Sequence, residues 1–191
     1  MRLRLTTRRY AAPVLKVCRM YSHRGFTLIE LMVTISVAAI IMAIAVPSMQ
    51  ILRANSRVAS AANELATDLK KARTESVLTR RNQTLASIDS SMSTNTWGNK
   101  GWRLTQVVAG ATQVVLENNR VPAGIFINGT PTTIVFVAST GMVQTTAGAT
   151  VNMTFRVCDN QSTKETGYDV QINQFGRVLT LKHNSPTVCN T

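Results

Sequence analysis

The 191 residues include only two histidines, nine acids against twenty-one Lys and Arg, and three cysteines. His23 lies in a basic N-terminal stretch and His183 near the end, so the bulk of the chain has a single imidazole. There is no GxSxG, Walker loop, GxGxxG or HExxH, which removes the common hydrolase, nucleotide and zinc-peptidase signatures. No CxxC or Cys/His cluster offers metal-ligand spacing. No internal repeat is present, and no helix-period segment of useful length follows residue 82. These absences lead to the expectation of a chain that is not an enzyme and needs no cofactor or metal. Two further gaps concern charge. Residues 1–25 contain no acid, and residues 31–46 contain no charge of either sign.

What fills those gaps sets the layout. Residues 1–25 carry Arg2, Arg4, Arg8, Arg9, Lys16, Arg19 and Arg24, so removing these seven lowers the formal net charge from +12 to +5. The basicity of the whole chain is thus mainly a property of its start and is not by itself a nucleic-acid signal. The uncharged stretch beginning at Leu31 continues through Pro47 to Leu52, past the roughly 20 residues that a membrane helix needs. Positive flanks stay cytoplasmic, so the expected topology is a single pass with the N-terminus in and residues 83–191 outside. Glu30 stands at the head of this run. An intramembrane carboxylate costs up to about 2.5–3.5 kcal/mol at mid-bilayer, and less near an end. A secretory signal with an A-x-A site at Ala43-Ile44-Ala45, or an uncut anchor, accounts for the apolar run, but neither accounts for Glu30.

Nothing strongly breaks helix from Phe26 to about Arg80, and Pro47 is expected to kink it rather than end it. Beyond Leu52, Val58, Ala62, Leu65, Leu69 and Ala72 recur at helical spacing, with Arg53, Arg57, Lys70, Lys71, Arg73, Arg80 and Arg81 mostly off that stripe. The second half of the helix, residues 53–82, is therefore expected to lay one face on a domain. After Arg81 the pattern becomes short Val/Ile/Thr/Phe runs divided by Gly, Asn and Pro. Strands are expected at 84–88, 101–108, 113–117, 124–127, 132–137, 151–157, 168–172 and 177–181. "FINGTP" (126–131) and "NQFG" (173–176) read as turns, and 90–99 as a mobile polar loop. The expected fold is α+β: a long N-terminal helix on antiparallel sheet. Trp97 and Trp102 are expected to pack in the domain.

Cys18 lies in the basic segment, while Cys158 and Cys189 fall on the predicted oxidising side. A disulfide between the latter two is the natural reading, with two free thiols as the alternative.

The stretch "RGFTLIELMVTISV" (24–37) resembles the processing site of type IV pilins and type II secretion pseudopilins. The resemblance implies cleavage by a prepilin peptidase after Gly25 and N-methylation of the new terminus, Phe26. It implies that Glu30 registers an incoming subunit against the amine of one already in the filament, and that Pro47 is the proline inside the helix. Its expected partners are other pilins, the peptidase and the inner-membrane assembly platform. Over the whole chain the layout resembles the FimT/FimU minor pilins and the H-type pseudopilins, through "ELATDLKKARTESVLTRRN" (64–82), Gly101-Trp102 and Gly176-Arg177. In the FimT group a basic "GRxR" is implicated in DNA binding. Here Arg177 fits and Leu179 stands where the second arginine would be, with Lys182 and His183 as nearby charge. The expectation is a minor subunit of a type IV pilus, with the type II secretion pseudopilin as the alternative and DNA as a further partner.

Overall fold

The structure, a computed structural model, describes residues 25–89, 97–98, 100–159 and 167–183. The chain divides into two units, Met1–Met42 and Ala43–Thr191. One helix, α1 (Leu28–Thr79), contributes to both.

In the first unit α1 opens on a cap. The Thr27 hydroxyl oxygen accepts the Glu30 N–H at 3.2 Å, satisfying one of the donors that every helix start leaves open. The two hydroxyls inside the apolar run turn back on the helix: Thr34 donates to the Leu31 carbonyl and Ser36 to that of Met32. Neither therefore carries an unsatisfied group into an apolar surrounding. Large apolar side chains from Phe26 onward are exposed throughout. The helix is long and apolar enough to cross a membrane.

In the second unit α1 runs on through Pro47 without a break. Pro47 has no N–H to give the carbonyl one turn back, and next to it the Ser48 hydroxyl donates to the Ala45 carbonyl at 3.0 Å. Further along, Val58, Ala62, Leu65, Leu69 and Ala72 are fully buried, as their spacing required, with Ala54, Ala61 and Ala66 beside them. So many alanines on one stripe let the sheets approach the helix axis closely. The helix stops at Thr79, and Arg80 follows with a φ of 52°, the left-handed turn that commonly ends helices.

Among the described residues nine strands follow: β1 (Gln83–Ser87), β2 (Trp102–Val108), β3 (Ala111–Asn118), β4 (Ile125–Asn128), β5 (Thr133–Phe136), β6 (Val143–Gln144), β7 (Met153–Asp159), β8 (Gly167–Ile172) and β9 (Val178–His183). Eight overlap the expected runs. β6 is the addition, two residues long and too short to show a period. The strands form two sheets, ordered β3-β2-β1-β5-β6 and β4-β7-β8-β9, with every named pairing antiparallel. Their inner faces join the helix stripe in one core, with Leu85, Leu104, Ile134 and Phe136 from the first sheet and Ile125, Ile127, Phe155, Val157, Val170 and Ile172 from the second.

One turn differs from expectation, and Trp97 packs as expected although it lies in the stretch read as a loop. "FINGTP" is strand as far as Asn128, so the turn is shorter than the motif. Within the stretch read as a mobile polar loop, Trp97 is fully buried. Its indole N–H donates to the Gly129 carbonyl at 3.0 Å, and its ring meets Phe155 edge-on at 4.9 Å. Residues 90–96 and 99 of that stretch lie outside the described residues.

Candidate assembly site

At the start of the described chain, Gly25 and Phe26 precede the helix in an open backbone. A side chain added at Gly25 would meet nothing within 4 Å, so packing does not demand a glycine there. Phe26 is 80 % exposed. The bond between them is accessible, as a protease site must be. Thr27 starts the helix immediately after it. Glu30 occupies the first turn, where the helix dipole favours negative charge. Among the described residues its carboxylate has no hydrogen-bond or ion-pair partner. The arrangement presents an accessible bond, a capped helix start and an unspent carboxylate, all within six residues. Thr27 and Glu30 have the T-x-x-E spacing of a capping box, a signal the sequence contained and the motif reading passed over.

The residues expected to contact DNA do not converge. β9 pairs with β8 from Ile172↔Val178 to Gly167↔His183. Side chains alternate along a strand, so Lys182 and His183 fall on opposite sides of β9, while Arg177 lies just before it in the β8–β9 turn. Arg177 and His183 are six residues apart, roughly 20 Å at strand rise. Arg177 is exposed and shares a shallow groove of about 630 Å³ with Phe175, Leu179, Gln171 and Asn152. His183 faces an acid, its Nδ1 lying 3.8 Å from Asp169, which also accepts from Arg156 at 3.1 Å. The sequence placed the three basic residues together because they are near in number. Strand alternation separates Lys182 from His183, and the length of β9 separates both from Arg177.

The cues Gly101-Trp102 and Gly176-Arg177 both have structural reasons. Gly101 has a φ of 82°, and a Cβ there would overlap the Asn118 backbone carbonyl. Trp102, fully buried, donates its indole N–H to Asp68 on α1 at 2.8 Å. Asp68 is 8 % exposed and also takes the Asn118 side-chain amide at 3.5 Å. Gly176 closes the β8–β9 turn with a φ of 75°, and a Cβ there would stand 2.5 Å from the Gly141 carbonyl oxygen and 2.7 Å from Arg73 Cδ. A second helix–sheet link, Arg57 to Asp159 at 2.8 Å, joins α1 to the end of β7. Asp68 and Asp159 were not singled out in the sequence, because nothing local marks a carboxylate for burial.

Cys158 lies on β7, and Cys189 lies outside the described residues.

Residues 61–176 match the family described as type II transport protein GspH, and residues 20–46 match the prokaryotic N-terminal methylation motif. No curated protein matches the sequence. Among solved structures, the fold is similar to the type IV minor pilin FimU of Pseudomonas aeruginosa in two crystal forms, each 22 % identical. One has a TM-score of 0.53 and covers 69 % of this chain and 96 % of FimU. The other has a TM-score of 0.50, with 67 % and 98 % covered. The minor pseudopilin EpsH of Vibrio cholerae matches at 12 % identity and a TM-score of 0.48, with 69 % and 99 % covered. With more than half its length matched to that family and a methylation motif at its start, the chain belongs to the GspH family, the minor pilins and pseudopilins of type IV pili and type II secretion systems.

Proposed function

We propose that the chain is a minor subunit of a type IV pilus, placed at or near the tip. It is made as a precursor, cut between Gly25 and Phe26 by a prepilin peptidase, and methylated at Phe26. It is held in the inner membrane with its N-terminus cytoplasmic and residues 83–191 periplasmic, until the assembly platform moves it into the filament. It serves the peptidase as a substrate and carries out no reaction of its own. The observation that carries this reading is the capped helix start with an exposed Gly25–Phe26 bond and an unpartnered Glu30 carboxylate. Cleavage leaves an amine at Phe26, and in a low-dielectric setting a neighbour's amine is the partner that Glu30 lacks. The test is the N-terminus and location of the protein from its native host. The expected result is a mass for residues 26–191 plus one methyl, in sheared filaments as well as membranes. An N-terminus at Val46 would mean an ordinary signal peptide. Loss of protein secretion with intact pili on deletion would favour the type II pseudopilin instead.

A bridge between Cys158 and Cys189 fits this extracytoplasmic placement. A Cβ at Gly167 would lie 3.8 Å from both the Cys158 and the His183 Cβ atoms, so the end of β9 comes within about 8 Å of Cys158. Six further residues reach Cys189 and span up to roughly 20 Å, ample for the return.

DNA reception is a second reading, supported by Arg177 beside the exposed Phe175 in one groove, a cation next to a stacking surface. It rests on Arg177 without Lys182. Binding to single-stranded DNA that weakens with salt and falls in Arg177→Ala would support it, and binding unchanged by Arg177→Ala would end it.

A further inference from the structure

The uncharged run ends at Leu52, and the first two charges beyond it, Arg53 and Arg57, are both basic. They stand on what the proposed topology makes the outer side, where positive charge has no role in orientation. They are one turn apart and line the same groove, about 650 Å³, with Gln50, Ile51, Ala54, Ser56 and Asp159. Asp159 has a side chain only 1 % exposed and is bonded to Arg57 Nη2 at 2.8 Å. That bond holds the Arg57 guanidinium at the rim and uses one of its five N–H donors. Arg53 is exposed, and among the described residues its guanidinium has no hydrogen-bond or ion-pair partner. The groove's charges, two arginines and one carboxylate, leave a net +1. Its remaining donors are guanidinium N–H groups, which suit a singly charged phosphodiester in bidentate geometry.

Depth supplies the occupant. At 1.5 Å per residue the uncharged run 31–52 is about 33 Å long as helix, close to the roughly 30 Å of a bilayer's hydrocarbon. A span that fills the hydrocarbon delivers the next residue to the phosphate level. We infer that the Arg53–Arg57 groove is a binding site for the phosphodiester of an anionic phospholipid in the outer leaflet, an inference that rests on the membrane-anchor reading above. Arg53 binds the phosphate directly. Arg57, fixed by Asp159, adds the second guanidinium and ties the lipid contact to the end of β7. The site holds the subunit at a set height before assembly, and leaving the membrane for a filament breaks it.

The experiment uses the full chain in detergent, mixed with equimolar phosphatidylglycerol and phosphatidylcholine, with retained lipids counted by native mass spectrometry. Wild type is expected to retain phosphatidylglycerol in excess. Arg53→Gln is expected to lower the ratio about fivefold, the effect of one basic residue at an anionic surface. Lys70→Gln makes the same charge change well along the helix and is expected to leave the ratio unchanged. Equal ratios in wild type and Arg53→Gln, or an equal loss in Lys70→Gln, would overturn the site. Release of the chain from membranes by alkaline carbonate would overturn the anchor reading and the lipid site with it. Firm retention with a flat lipid ratio overturns the lipid site alone.

Discussion

Glu30 and Asp68 are both carboxylates on α1, yet their surroundings give them opposite tasks. Glu30 is exposed and, among the described residues, unpartnered in the first turn, so its charge is available to another molecule. Glu30→Gln keeps the shape and removes the charge. Membrane insertion is expected to be unharmed or slightly improved, and the domain, more than fifty residues along the chain, to fold as before. The fraction of the protein in sheared filaments relative to membranes is expected to fall, and an unchanged ratio with normal processing would deny Glu30 an assembly role. Asp68 spends its oxygens inside, on Trp102 and Asn118. Asp68→Ala leaves two buried donors without an acceptor and is expected to lower stability by roughly 2–3 kcal/mol in denaturant unfolding. Asp68→Asn, which retains an acceptor, is expected to cost less. Gly176 is a third case, in which the residue's value is what it lacks. Gly176→Ala places a methyl against the Gly141 carbonyl and Arg73 in a left-handed conformation. The expected loss is about 1–3 kcal/mol, read in the same unfolding experiment.

At the scale of elements, α1 is one helix with two kinds of surface. Residues 26–52 show their apolar side chains outward, and residues 53–79 bury theirs on one stripe. The change falls at Ala54, the first buried apolar residue of the helix, between the two arginines. The Arg57–Asp159 pair lies where the helix first meets the sheet. Removing the arginine takes a cation away from a carboxylate that is nearly fully buried. Arg57→Ala is expected to destabilise by about 1–3 kcal/mol, less than a fully buried pair because Arg57 is half exposed. Faster hydrogen exchange at the β7 end and at residues 54–58 than at the centre of the core would locate the damage. Uniform acceleration would mean the pair supports the whole domain equally.

At the scale of the second unit as a whole, two sheets and the later part of α1 close around one core, with the last described strand at an edge of the second sheet. A covalent link from the tail back to β7 would restrain that edge. Thiol labelling of the denatured, non-reduced protein is expected to leave Cys158 and Cys189 unmodified, and quantitative labelling of both would exclude the bridge. Reduction is expected to cost about 2–5 kcal/mol, typical for a small secreted domain.

By itself, the sequence determined whatever depends on neighbours along the chain. The helix stripe, the apolar span, the eight longer strands and the N-terminal methylation motif are local patterns, because side-chain periodicity and a short recognition motif are properties of consecutive residues. Tertiary structure alone decided which residues distant in sequence would meet. Asp68 became an acceptor because β2 brings Trp102 to it, and Asp159 took Arg57 because β7 ends beside the helix. Trp97 entered the core from a polar stretch because the Gly129 carbonyl and the Phe155 ring were there to receive it. Each outcome depends on the desolvation and pairing of groups dozens of residues apart, a quantity no local window contains.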